Sequence, residues 1–102
     1  MYAKGMVAVR WFSLTTEWID CVAVVPDYCR EQAEIAMRSA CDKFWDDEYE
    51  TVGDAVCGEL DKEGIPYTAI LLPWDYKRDR PLLEEEVWEQ MISELPEVIV
   101  VN

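Results

Sequence analysis

Two periods of apolar and polar residues alternate along this chain, and the places where one gives way to the other mark its elements. From Met6 to Phe12 and from Ile19 to Val25 the residues are rich in Val, Ile, Trp and Phe and bounded by polar or turn residues, which predicts two strands joined as a hairpin. The connection over Leu14–Trp18 lacks the Asn-Gly or Gly pair of a two-residue turn, so a longer loop is expected. Pro26 stops the second strand, and Asp27 is placed to cap a helix beginning at Tyr28. On that helix Cys29, Ala33, Ala36, Met37, Ala40, Cys41 and Phe44 fall on one face, with Glu31, Glu34, Arg38 and Asp42 opposite. Tyr28 and Ile35 are apolar exceptions on the polar side and candidates for a second contact surface.

Thr51-Val52-Gly53-Asp54 has the spacing of a capping box and predicts a second helix, with Val52, Ala55, Val56 and Leu60 as its apolar positions. Gly64 stands where a left-handed terminating residue is wanted, Ile65 can fold back onto Leu60, and Pro66 forbids continuation. The apolar run Tyr67–Leu72 suits a central strand buried on both faces. Trp74 to Arg80 follow as a loop, and Pro81 suits the first turn of a third helix carrying Leu83, Val87, Trp88, Met91, Ile92 and Leu95. Val98–Val101 reads as a last strand, expected parallel to and beside Tyr67–Leu72. The order is ββααβαβ: an α+β, mixed α/β domain in which three helices pack on a mixed four-stranded sheet. With 102 residues and no repeat or linker, residues 1–102 make a single domain.

Charge and composition narrow the functions. The net charge is −13, and residues 31–64 hold eleven acids against three bases. The excess sits on the helices and their junction, which predicts a neutral sheet side and a negative helical side. Such a field repels nucleic-acid backbones and anionic membranes and attracts basic proteins. No apolar run approaches the ~20 residues that span a bilayer, and Arg10, Glu17 and Asp20 interrupt any secretory signal, so a cytoplasmic protein is expected. The four cysteines, Cys21, Cys29, Cys41 and Cys57, follow no paired C-x-x-C spacing and read as free, buried thiols. The chain has no histidine, which removes Ser-His and Cys-His nucleophile pairs and imidazole metal sites. Asp46-Asp47-Glu48 lacks the alternating acids and central Gly of a calcium loop. No catalytic residue, cofactor or metal is expected.

The densest local signal is the acidic corner between the first two helices: Trp45, Asp46, Asp47, Glu48, Tyr49 and Glu50, with Glu84, Glu85 and Glu86 as a second cluster. These are the candidate partner-binding residues of a non-enzymatic interaction or inhibitor protein whose partner is a basic, nucleic-acid-binding protein. Carboxylates one helical turn apart lie about 5 to 6 Å from each other, comparable with the phosphate repeat of a stretched strand. Compact acidic inhibitors of phages and mobile elements, anti-CRISPR proteins among them, share this size and charge; the likeness is compositional and no motif carries it. Two alternatives stand beside this reading. A small-anion binder or enzyme would use Trp74, Asp75, Tyr76, Lys77 and Arg78 at the carboxyl end of the central strand. A homodimer would form through whichever sheet face three helices on one side leave uncovered.

Overall fold

The computed structural model describes residues 2–13, 19–76 and 78–101. Strands β1 (Met6–Ser13) and β2 (Ile19–Pro26) form the predicted antiparallel hairpin, in register from Met6 opposite Pro26 to Ser13 opposite Ile19. The connection expected over Leu14–Trp18 lies outside the described residues. Helix α1 (Arg30–Trp45), helix α2 (Val52–Lys62), strand β3 (Ala69–Leu71), the strand pair β4 (Trp74–Asp75) and β5 (Arg80–Pro81), helix α3 (Glu85–Ser93) and strand β6 (Val98–Val101) follow. The main sheet is mixed and four-stranded in the order β3-β2-β1-β6, so the α+β class and the ββααβαβ order stand, with a small ribbon added.

Period-two alternation sorts the hairpin between two cores. Val7, Val9, Trp11, Cys21, Ala23 and Val25 face one way, onto Ala33, Ala36, Met37 and Ala40 of α1 and Val52, Ala55, Val56 and Leu60 of α2. Ala8, Val22 and Val24 face the other way, onto Trp88, Ile92 and Leu95. The face of α1 that is buried, Ala33, Ala36, Met37 and Ala40, is the one its spacing predicts.

Four expectations are corrected. The run Tyr67–Leu72 is not central: β3 is a half-buried edge strand of three residues, and the fully buried centre is β2. An apolar run buried on both faces also describes Ile19–Val25, which is longer and takes the inner place. Strand β6 does not lie beside β3 but pairs parallel with β1 at the opposite edge. The third helix starts at Glu85 instead of Pro81, because Arg80–Pro81 is drawn into the ribbon against Trp74–Asp75 and the Leu82 N–H donates to the Pro73 carbonyl at 3.0 Å. Asp27–Cys29 forms a 3₁₀ turn before α1, and the Asp27 carboxylate accepts from Arg30 Nε at 2.7 Å instead of capping the helix.

The layering also overturns the uncovered sheet face. Helices α1 and α2 lie on one face and α3 on the other, so neither face is left without a helix, although Val98 and Val100 of β6 stay exposed on the α3 side. Among the described residues the large apolar side chains that stay exposed are Tyr28 and Ile35 by α1, as the pattern predicts, Trp45, Leu82, Val87, and Val98 and Val100 on edge strand β6. No helix is long and apolar enough to cross a membrane among the described residues.

Candidate functional site

Helix α1 ends in a left-handed cap built from acids. Asp47 takes φ 60°, the Glu48 N–H donates to the Lys43 carbonyl at 2.9 Å, and the Asp47 N–H donates to the Phe44 carbonyl at 3.1 Å. This is the Schellman arrangement, usually closed by Gly. Asp46, Asp47 and Glu48 are all exposed, so three carboxylates crowd the end of a helix whose own dipole is negative. Trp45 beside them is 45% exposed and packs edge-on against Phe44. Phe44 in turn meets Trp11 near the end of β1, which fixes the corner at the end of the sheet where β1 finishes.

Tyr49 turns inward from this corner. Its hydroxyl donates to Glu59 Oε2 at 2.7 Å, and its ring lies against Gly58 so closely that a Cβ there would sit 2.7 Å from it. Glu59 also accepts from Ser39 at 2.8 Å and Lys43 at 2.9 Å, with Lys62 3.5 Å away. Burial works to raise its pKa, but the hydrogen bonds from Tyr49, Lys43 and Ser39 outweigh that and hold the carboxyl down at about 2. This cluster ties α1, the corner and α2 together, so Tyr49 serves the fold while Trp45 faces outward.

A second polar group is buried under α3. Asp20, 1% exposed, accepts from Arg10 Nε at 2.8 Å and Nη2 at 2.6 Å, and from Trp88 Nε1 at 3.1 Å. Arg10 lies opposite Val22 in the ladder, so Asp20 is its diagonal neighbour on the same sheet face. The hydrogen bond to Asp20 raises the Arg10 pKa further, and the guanidinium stacks on Phe12 at 4.6 Å. Where β3 stops, Tyr76 continues the ladder: the Asp20 N–H donates to its hydroxyl at 2.7 Å, and that hydroxyl donates back to the Asp20 carbonyl at 3.3 Å. Burial, helped by the nearby Asp20 carboxylate, pushes the Tyr76 hydroxyl up to about 12, which keeps it neutral. The ion pair floors a pocket of 530 Å³ between the ribbon, the ends of β1 and β2, and α3.

The expected ligand loop is therefore part ribbon, and its residues separate. Trp74 lines the pocket, Tyr76 braces Asp20, and Asp75 accepts from the Arg78 N–H at 3.1 Å; Lys77 lies outside the described residues. The second acidic cluster belongs to α3: Glu84 precedes it and Glu85 and Glu86 form its first turn, where negative charge is favoured. It shares the corner's end of the sheet but sits on the opposite face. Arg10, Asp20, Glu59 and Trp88 were not singled out by sequence. The signals existed: Asp20 is an acid inside an apolar strand, and Glu59 falls on the Val52, Val56, Leu60 stripe.

All four cysteines are unpaired, and burial pushes the Cys21 thiol far up, the opposite of an activated nucleophile. Among the described residues no three carboxylates or thiols converge as a metal site needs. No family model, curated protein or solved structure matches the chain.

Proposed function

We propose that this chain is a small acidic interaction protein, acting as an inhibitor without catalysis, whose α1–α2 corner docks on a basic protein. The observation that supports this best is the placement of Asp46, Asp47 and Glu48 at the carboxyl end of α1, beside an exposed Trp45. Acids placed for solubility alone go on helix flanks or amino ends, where they cost nothing; at this end each opposes the helix dipole. An exposed Trp is the side chain that anchors interfaces best, and surrounding charge steers the approach. Glu50 extends the corner, and Glu84, Glu85 and Glu86 add to the field at the same end of the molecule. The likeness in size and charge to compact acidic inhibitors of phages and mobile elements supports a partner whose groove otherwise takes nucleic acid. The unpaired thiols accord with a cytoplasmic setting.

The test is parallel affinity capture from a cell lysate with the wild-type chain, Asp46→Lys/Glu48→Lys and Trp45→Ala as baits. Asp47 is left unchanged because its left-handed backbone would strain most replacements. A basic protein retained by the wild type, weakened by added salt and lost by both variants is the expected result. Identical retained sets from all three baits would rule the corner out.

A further inference from the structure

The pocket above the Arg10–Asp20 pair shares no residue with the α1–α2 corner, and its walls and rim have opposite characters. Phe12, Pro73, Trp74, Pro81, Leu83 and Trp88 make the walls apolar, and three of these six are aromatic. The charge on the floor is already cancelled, since Arg10 and Asp20 meet through two parallel hydrogen bonds. Two acids remain at the mouth, Glu85 and Glu89, both exposed and one turn apart on α3. No basic side chain among the described residues pairs with either. An anion entering here would meet two carboxylates and a guanidinium already satisfied. A cation would meet the acids directly and the Trp74 and Trp88 rings that line the walls. The volume, 530 Å³, suits a small molecule and is ample for one or two rings.

We propose that this pocket binds a small organic cation, a flat apolar body carrying an amidinium or ammonium group, with the body between the aromatic walls and the charge held by Glu85 and Glu89. Its position supports this: the site lies at the end where β1 and β3 finish, outside the carboxyl ends of parallel-running strands, where open sheets take ligands.

Three probes of one shape and different charge test it: benzamidine as the cation, benzamide as the neutral form and benzoate as the anion. Each is titrated into the wild-type chain and read by the tryptophan indole N–H signals in proton–nitrogen spectra. Benzamidine should shift the Trp88 and Trp74 signals while leaving Trp45, and should bind about tenfold more tightly than benzoate, with benzamide between. In Glu85→Gln/Glu89→Gln, two exposed substitutions outside both cores, the three probes should converge to within about threefold. Benzoate binding as tightly as benzamidine, a charge preference that survives the double substitution, or no shift at Trp88 with any probe would each overturn the proposal. So would shifts centred on Trp45. The corner variants leave this assay untouched, so failure here and failure of the docking corner are separate results.

Discussion

Glu59 is held ionised by donors from both α1 and the corner, so its contribution depends on pH in a defined direction. Its pKa in the fold, about 2, is below the 4.5 of an unperturbed carboxyl. A depressed carboxyl stabilises the fold above the unfolded value, and that stabilisation is lost as pH falls from about 4.5 towards about 2. Glu59→Gln should therefore be less stable than the wild type by about 1 to 3 kcal/mol at pH 7, since Lys43 loses its carboxylate partner. The gap should narrow on acidification to pH 2; urea unfolding at several pH values measures it, and a constant gap would mean that the charge is not what the cluster uses. Asp47 makes the opposite prediction. Its φ of 60° suits Gly, so Asp47→Gly should raise stability by about 0.5 to 1 kcal/mol. At this scale the sequence is readable for caps and poor for buried charge. Thr51, Gly64 and Ile65 stand where their spacing puts them, because caps are local. Asp20 needs Arg10, ten residues away, and Trp88, sixty-eight away, and only the ladder register brings them together.

The elements differ in how much of their structure is set locally. Helix α2 carries both of its terminators: the Thr51 hydroxyl accepts from the Asp54 N–H at 3.0 Å, and the Ile65 N–H donates to the Leu60 carbonyl at 2.9 Å. Thr51→Ala should cost about 0.5 to 2 kcal/mol, seen as a lower denaturation midpoint. Helix α1 is the informative contrast, because its acids oppose its dipole at one end and agree with it at the other. Asp46→Lys/Glu48→Lys should stabilise the isolated chain by about 0.3 to 1 kcal/mol per site at low salt, whereas Glu31→Lys in the first turn should destabilise it. Thermal unfolding of the variants decides; destabilisation by the corner pair would remove the case that those acids are placed against the fold's interest. The strands were legible as segments but not in their order. Ile19–Val25 and Tyr67–Leu72 have similar composition, and which becomes the centre depends on partners: β2 receives β1 through eight paired positions, and β3 adds three on its far side. Pro81 looked like a helix start because a missing N–H is tolerated there, yet the edge of a two-residue ribbon tolerates it equally.

For the whole molecule, the division of helices between two sheet faces changes the meaning of its charge. A single covered face would make a dipolar surface; with α3 on the far side, acids flank both faces, and the corner and the start of α3 bring Asp46, Asp47, Glu48, Glu84, Glu85 and Glu86 to one end of the sheet. That end could not be read from the order of elements alone, because β6 crosses to β1 and takes α3 with it onto the opposite face. Trp45 stands there as an exposed aromatic beside three exposed carboxylates. The most direct measurement of the docking claim is the association rate of the captured partner across a salt series, with the wild type and with Asp46→Lys/Glu48→Lys. The account predicts that the wild-type rate falls steeply with salt while the variant associates slowly and with little salt dependence. Equal rates and equal slopes for the two chains would contradict it.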